Sequence, residues 1–222
     1  MPMDLYTPGV GAVVVDVIEI IGRSSSHFTR MARIFAEELG VPYRLVPVLD
    51  MTVLSANAYG HNPAMKLPAM QVNGSTLFGA QNICRALALR SGRGTRVIWP
   101  EELCDPLSCN AQELVWHGMA AQVQIAFGVL ICKLPEENVY FAKARKGFEG
   151  ALVWLDAHLA EATGRLPSAR DLSLFEVSLF CLVDHLTFRP TVSLAPYKAL
   201  VSFAGEFAKR PSASSTAYRF DS

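Results

Sequence analysis

The sequence lacks an excess of either charge: twenty lysines and arginines stand against twenty aspartates and glutamates in 222 residues, a formal net charge of zero. No overall field draws such a chain to nucleic acid or to anionic lipid, so any anion it binds must be held locally. It also lacks a Cys-x-x-Cys pair. Its five cysteines (Cys84, Cys104, Cys109, Cys132 and Cys181) are odd in number and scattered in mostly apolar company, which suits reduced, buried thiols and not a disulfide framework. Cys104 and Cys109 are near neighbours, but no second pair or histidine cluster completes a tetrahedral site, so no metal is expected. A basic, apolar leader is missing too. Asp4 stands where a secretory signal carries basic residues, and the apolar run 13–21 is broken by Asp16 and Glu19. The other long apolar stretch, 118–132, contains Gln122 and Gln124 and is too short to cross a bilayer as a helix. A cytoplasmic protein without membrane or nucleic-acid partners is the expectation.

What is present is apolar material in a definite order. Hydrophobic residues make up 51% and charged residues 18%, enough to offset chain entropy in a globular chain of one large or two smaller domains. The β-branched segment 13–22 predicts a strand buried on both faces. The polar turn 23–29 (RSSSHFT) follows, and then Met31, Ile34, Phe35 and Leu39 recur at helical spacing before Gly40. Residues 42–49 predict a second strand, completing a β-α-β unit. Residues 50–66 predict a loop with one weak helical turn. Asn73-Gly74 between the short apolar runs 67–72 and 75–78 predicts a hairpin, since both residues tolerate positive φ. A helix to about residue 89 closes this α/β domain, placed at 13–91.

After a linker, an all-helical domain is expected over 105–210. Leu114, Met119, Val123, Phe127 and Leu130 predict one long helix ended by Leu134-Pro135. Phe148, Leu152, Leu155 and Leu159 predict a second, Phe175 to Leu186 a third, and residues 200–208 a fourth. The Ser-rich stretch 211–215 predicts surface packing or fraying.

Three places suggest chemistry or caps. Serines just ahead of a helix (Ser24, Ser25, Ser26) are favoured cap residues, and they can also aim a hydroxyl and the helix's free N–H groups at an anion. Pro68 begins a strand, where a residue without a ladder donor must sit at an edge or a special turn. Ser173 with Glu176 three residues later is a capping-box signature. His27 reads as a solvated loop histidine that could tune the turn.

The β-α-β-β-α order followed by helices resembles the glutathione transferase superfamily, of the serine-type classes such as tau, theta and zeta. Four segments carry the resemblance across nearly the whole chain: 26–34 (SHFTRMARI), 62–70 (NPAMKLPAM), 173–176 (SLFE) and 207–212 (FAKRPS). It implies a thioredoxin-like N-terminal domain plus an all-α C-terminal domain, a cytosolic homodimer, and glutathione as co-substrate. It implies that Ser26, selected over Ser24 and Ser25 by the register of Arg33-Ile34, stabilises the glutathione thiolate by hydrogen bonding. Pro68 would follow a cis bond, with Leu67 pairing main chain to main chain with the cysteinyl part. Where the family has Glu-Ser or Gln-Ser for the γ-glutamyl end, this sequence has Gly79 and Ala80. Their backbone N–H groups, or Gln81 or Asn82 under a register slip, would have to serve. Trp116, His117 and Ala120 would face a small-molecule electrophile between the domains. The absence of cysteine from the 24–29 turn disfavours thiol-disulfide exchange. The alternative is a non-catalytic member of the same fold that binds ligands or partner proteins.

Overall fold

The computed structural model describes residues 17–222. The first residues of the expected opening strand, Val13 to Asp16, lie outside the described residues, as does Asp4. The strand itself, β1 (Ile18–Gly22), is followed by α1 (His27–Leu39) and β2 (Tyr43–Pro47). Next come the hairpin β3 (Ala69–Val72) and β4 (Ser75–Phe78), and then α2 (Ala80–Arg90). Among the described residues these strands form one sheet in the order β2-β1-β3-β4, with β1 parallel to β2 and antiparallel to β3. The Asn-Gly signal holds: Val72 pairs with Ser75, and Asn73 and Gly74 take φ of 51° and 70°. The weak turn expected in the loop is a 3-10 turn at Ala56–Tyr59.

β1 lies centrally, and its Ile20 is wholly buried under α1 and α2 with Ile34, Phe35, Ile83 and Leu87. The opposite face is covered by the loop after β2, where Tyr59 joins Ile21, Val48 and Ala69 and donates its hydroxyl to the Met51 carbonyl at 2.9 Å.

A short parallel pair, β5 (Val97–Ile98) in the linker with β6 (Leu172–Ser173) just before the helix that begins at Leu174, ties the start of the helical half to its middle; the stretch read as linker thus holds a strand. The helices are α3 (Pro106–Ile125), α4 (Val139–Gly164), α5 (Leu174–Phe188), α6 (Lys198–Phe207) and α7 (Pro211–Ser215). α3 continues through a π-helical turn, Ala126–Ile131. The combined 106–131 helix, longer than the stretch expected, is long and apolar enough to cross a membrane by length and composition. Its Val115, Met119 and Ile125 are buried against α4 and α5, and the same apolar cluster continues into the sheet half through Phe35 and Leu87. One core therefore fixes the helices to the sheet.

Three expectations are corrected. Residues 211–215 are not frayed but helical, and Thr216 just beyond is fully buried. Two arginines of α1 hold this tail: Arg30 donates to the Ala213 carbonyl at 3.1 Å, and Arg33 to the carbonyls of Thr216 and Ser215. Of the cysteines, all free, only Cys84 and Cys181 are buried, while Cys104, Cys109 and Cys132 are exposed. At the capping box, Ser173 accepts from the Glu176 N–H at 3.1 Å as expected. Glu176, however, takes the Ser173 hydroxyl at 2.6 Å and the Arg170 guanidinium, in place of the Ser173 N–H.

Candidate active site

Strand pairing brings three separated segments to one end of the sheet. Ile21 pairs with Ala69 and Ala69 with Phe78, so the turn after β1, the residues before β3 and the start of α2 become neighbours. The Gly79 N–H closes this group by donating to the Pro68 carbonyl at 3.2 Å. The Leu67–Pro68 bond is cis.

The three serines of the turn face different ways. Ser24 is fully buried, its N–H donating to Asp221 at 2.8 Å while its hydroxyl has no partner among the described residues. Ser25 is buried, and its carbonyl accepts from His185 at 3.1 Å. Ser26 is the N-cap of α1, with extended φ and ψ, and its Oγ accepts from the Thr29 N–H at 3.3 Å. A hydroxyl that accepts one bond still has its hydrogen to donate. Ser26 and Ser25 line a cavity of about 360 Å³; Ser24 does not. That volume is in the range of small-molecule sites.

The cavity lies between the sheet end and the helical half. Leu67 and Lys66 border it beside the serine turn, and Met51, Val53, Leu54 and Tyr59 come from the loop after β2. Across from them stand Val123, Ala126, Phe127 and Ile131 of α3 and its π turn, with His185 and Arg189 from the end of α5. Trp116, His117 and Ala120 do not line it. They lie one to two turns nearer the start of α3, where Trp116 packs on the core, His117 meets Glu113 at 3.1 Å in solvent and Ala120 is exposed.

Behind the serine turn lies a polar network. His185 Nε2 must carry the hydrogen, because the Ser25 carbonyl can only accept, so Nδ1 is free to accept from Gln122 at 3.0 Å. The same Gln122 amide donates to the Arg189 carbonyl at 3.1 Å, and its oxygen accepts from the Thr191 hydroxyl. The fully buried Gln122 is thus satisfied on both ends. Burial pushes the His185 pKa down to about 4; the nearby Arg189 and Arg30 act in the same direction, against the Ser25 hydrogen bond and Asp184.

His27, expected in solvent, is 2% exposed, with its ring edge-on to His185 at 4.7 Å. Both of its ring nitrogens lack a hydrogen-bond partner among the described residues. Burial, and then His185, hold its pKa well below the usual value. The only sequence signal for this network is Gln122 itself, a polar residue inside an apolar stretch.

At the start of α2, Gly79 is the N-cap with φ 86°, a conformation that favours glycine, and no side chain caps the helix. Ala80 is buried and Gln81 half-buried, while Asn82 turns its amide back onto the Phe78 carbonyl at 3.1 Å. Backbone N–H groups therefore form the polar surface of this helix start. Among the described residues no group of three or more His, Cys, Asp or Glu is placed to hold a metal.

Residues 25–90 match the family model described as glutathione S-transferase, N-terminal domain. No curated protein matches the chain. Among solved structures, a glutathione S-transferase of Methylobacterium radiotolerans in complex with glutathione sulfonate is 19% identical, with TM-score 0.70, covering 92% of this chain and 96% of that one. A glutathione transferase family member of Pseudomonas fluorescens with bound glutathione is 19% identical, with TM-score 0.71 and coverage of 91% and 99%. A delta-class glutathione transferase of Nilaparvata lugens is 19% identical, with TM-score 0.66 and coverage of 90% and 92%. The chain has the glutathione transferase fold, a thioredoxin-like domain followed by helices, and within it residues 25–90 match that family's N-terminal domain.

Proposed function

We propose that this chain, a glutathione transferase by fold and by its N-terminal domain, binds glutathione at the sheet end and transfers it to an electrophile held in the cleft. The observation that carries the proposal is Ser26, a helix N-cap that borders the same cavity as Leu67. Bound glutathione supplies a thiol, with an ordinary pKa of about 8.5, whose thiolate is the nucleophile. The Ser26 hydroxyl would donate to that sulfur, and the N-terminal end of α1 behind it favours negative charge. Both lower the cost of releasing the thiol proton to solvent. The sulfur then forms the new bond to the electrophilic carbon, and the leaving group departs with the bonding pair.

The Leu67 main chain would pair with the cysteinyl part, and the N–H groups at Gly79, Ala80 and Gln81 would meet the γ-glutamyl carboxylate. The electrophile's apolar body would lie on Val123, Phe127 and Ile131, in place of Trp116, His117 and Ala120, which the cavity does not reach. A cytoplasmic homodimer belongs to the same proposal.

Calorimetric titration with glutathione, joined to an assay of Ser26→Ala against a panel of electrophiles, tests it. Binding in the millimolar range or tighter is expected, with a loss of at least about tenfold in kcat/KM for the variant, as for removal of one charge-stabilising donor. Absence of binding at millimolar glutathione refutes the transferase reading and favours a non-catalytic ligand-binding protein. That second reading has its own support in Gly79 and Ala80, which offer no side-chain hydrogen bond. Full activity in Ser26→Ala would move the donor to Ser25.

A further inference from the structure

The cleft has a charge pattern that an apolar electrophile does not explain. Arg23, Lys66 and Arg189 line it, and among the described residues no aspartate or glutamate does. Lys66 adjoins Leu67 on the proposed glutathione side. Arg23 leaves the turn after β1, whereas Arg189 follows α5 in the helical half, so the two reach the cleft from opposite walls.

Neither guanidinium makes an ion pair among the described residues. The Nε of Arg23 is buried and has no hydrogen-bond partner there. Arg189 is held over the Phe220 and Phe188 rings, at 4.9 and 5.7 Å from their centroids, which fixes its plane without neutralising it. No carboxylate among the described residues pairs with either guanidinium, although Arg23 is near enough to Asp50 to add to the lowering of its pKa by Thr52. Asp50 accepts from the Thr52 N–H and hydroxyl at 2.8 and 2.6 Å, and Asp221 from the Ser24 N–H. Burial and the facing Arg23 both lower the Arg189 pKa, as two cations sharing an apolar cleft should.

We infer that the second substrate is an anion, a compound with an apolar body and a carboxylate or similar oxyanion that Arg23 and Arg189 clamp between the two halves of the chain. Calling the ligand a second substrate rests on the glutathione reading; the anion site itself does not. The planar fork of a guanidinium matches a carboxylate's two oxygens. Two unpaired forks facing an apolar cavity favour a ligand that brings the missing charge, since the low dielectric strengthens that contact.

The test is calorimetric titration of the full chain with 3,5-dinitrobenzoate and its uncharged isostere 3,5-dinitrobenzamide, with and without millimolar glutathione. Arg189→Ala, Arg189→Lys and Arg23→Gln are titrated alongside the parent. The benzoate is expected to bind about tenfold tighter than the amide, as for one net hydrogen bond to a charged group. This preference should collapse in Arg189→Ala and Arg23→Gln, persist in part in Arg189→Lys, and survive saturation with glutathione.

Equal affinities, no binding of either probe, or an equal loss of both in Arg189→Ala overturns the inference. Competition between glutathione and the benzoate also overturns it, because the arginines would then hold a glutathione carboxylate. A benzoate preference without any glutathione binding supports the anion site and refutes the transferase reading alone.

Discussion

His185 makes the stability of this fold depend on pH in a window where few other groups titrate. Its ring is neutral in the folded chain, with Nε2–H on the Ser25 carbonyl and Nδ1 accepting from Gln122, and its pKa is pushed from 6.5 down to about 4. Because the folded pKa is the lower one, the unfolded chain takes up a proton first as pH falls. Stability is therefore complete above about pH 6.5, declines as pH falls toward the folded pKa, and loses nothing more from this group below it. At 1.36 kcal/mol per unit, the full window amounts to about 3 kcal/mol. Between about pH 7.5 and pH 5.5 the unfolded chain acquires most of one proton, a loss of about 1.3 kcal/mol from His185. His27, lowered by burial and by His185, adds to the loss in the same direction.

The perturbation is His185→Gln, whose amide can still donate to the Ser25 carbonyl and accept from Gln122 but does not titrate. Urea unfolding at the two pH values gives four free energies. The parent should lose more stability on acidification than the variant, by about 1 kcal/mol, while both bury the same apolar core. The carboxylates lowered by their own partners, such as Glu101 and Glu102, contribute in acid to parent and variant alike and cancel from the difference. An identical pH loss in the two proteins would refute the neutral, hydrogen-bonded His185.

Two further outcomes follow from single contacts. Ser173→Ala removes the hydroxyl that caps α5 and also donates to Glu176; it should lower stability by about 1 kcal/mol, measured by urea midpoint, with glutathione affinity unchanged. Arg30→Met removes a guanidinium that is 2% exposed, joins Asp184 and the Ala213 carbonyl, and lies 4.1 Å from the Tyr218 ring centre. A loss of about 3 kcal/mol in thermal or urea unfolding is expected, the lower end for a broken buried pair because Asp184 keeps some access to water. A change under 1 kcal/mol would show that the tail does not depend on this arginine.

The parts legible in the sequence were those written in neighbouring residues. The period of α1, the Asn73-Gly74 turn and the serine cap each need only a few consecutive positions. The preference for Ser26 over Ser24 and Ser25 comes instead from matching Arg33-Ile34 to the family's helix pattern. What stayed hidden were partners far apart in the chain: Gln122 with His185, Ser25 with His185, and Arg30 and Arg33 with the carbonyls of residues 213–216. A polar residue interrupts an apolar pattern in the same way whether it faces solvent, caps a helix or is buried and paired across the molecule, so Gln122 reads as a mere interruption. Trp116, His117 and Ala120 were expected at the cleft because they share a helix face. The structure instead turns Trp116 to the core and His117 and Ala120 to solvent, and the cavity opens further along, where the π turn carries Phe127 and Ile131 to the wall.

The proposed site is asymmetric in how it is built, and that asymmetry bears on affinity. At the thiol end a side chain, Ser26, would supply the donor, and the buried His185 with Gln122 braces the turn that presents it. At the other end Gly79 and Ala80 leave only the backbone of α2, whose N–H groups persist whatever side chains stand there. A hydrogen bond to a charged group contributes about 1.5–3 kcal/mol, so each such bond missing at the γ-glutamyl end would weaken glutathione binding by about tenfold to a hundredfold. The thiol end would not be weakened by this, because Ser26 and α1 would act on the sulfur alone. A chain built this way would bind glutathione loosely, at a KM near millimolar, and still activate its thiol once it is bound. Glutathione that binds tightly would therefore mean that Lys66 or Gln81 supplies a contact at the far end, and Lys66→Ala or Gln81→Ala would then raise KM while leaving kcat in place.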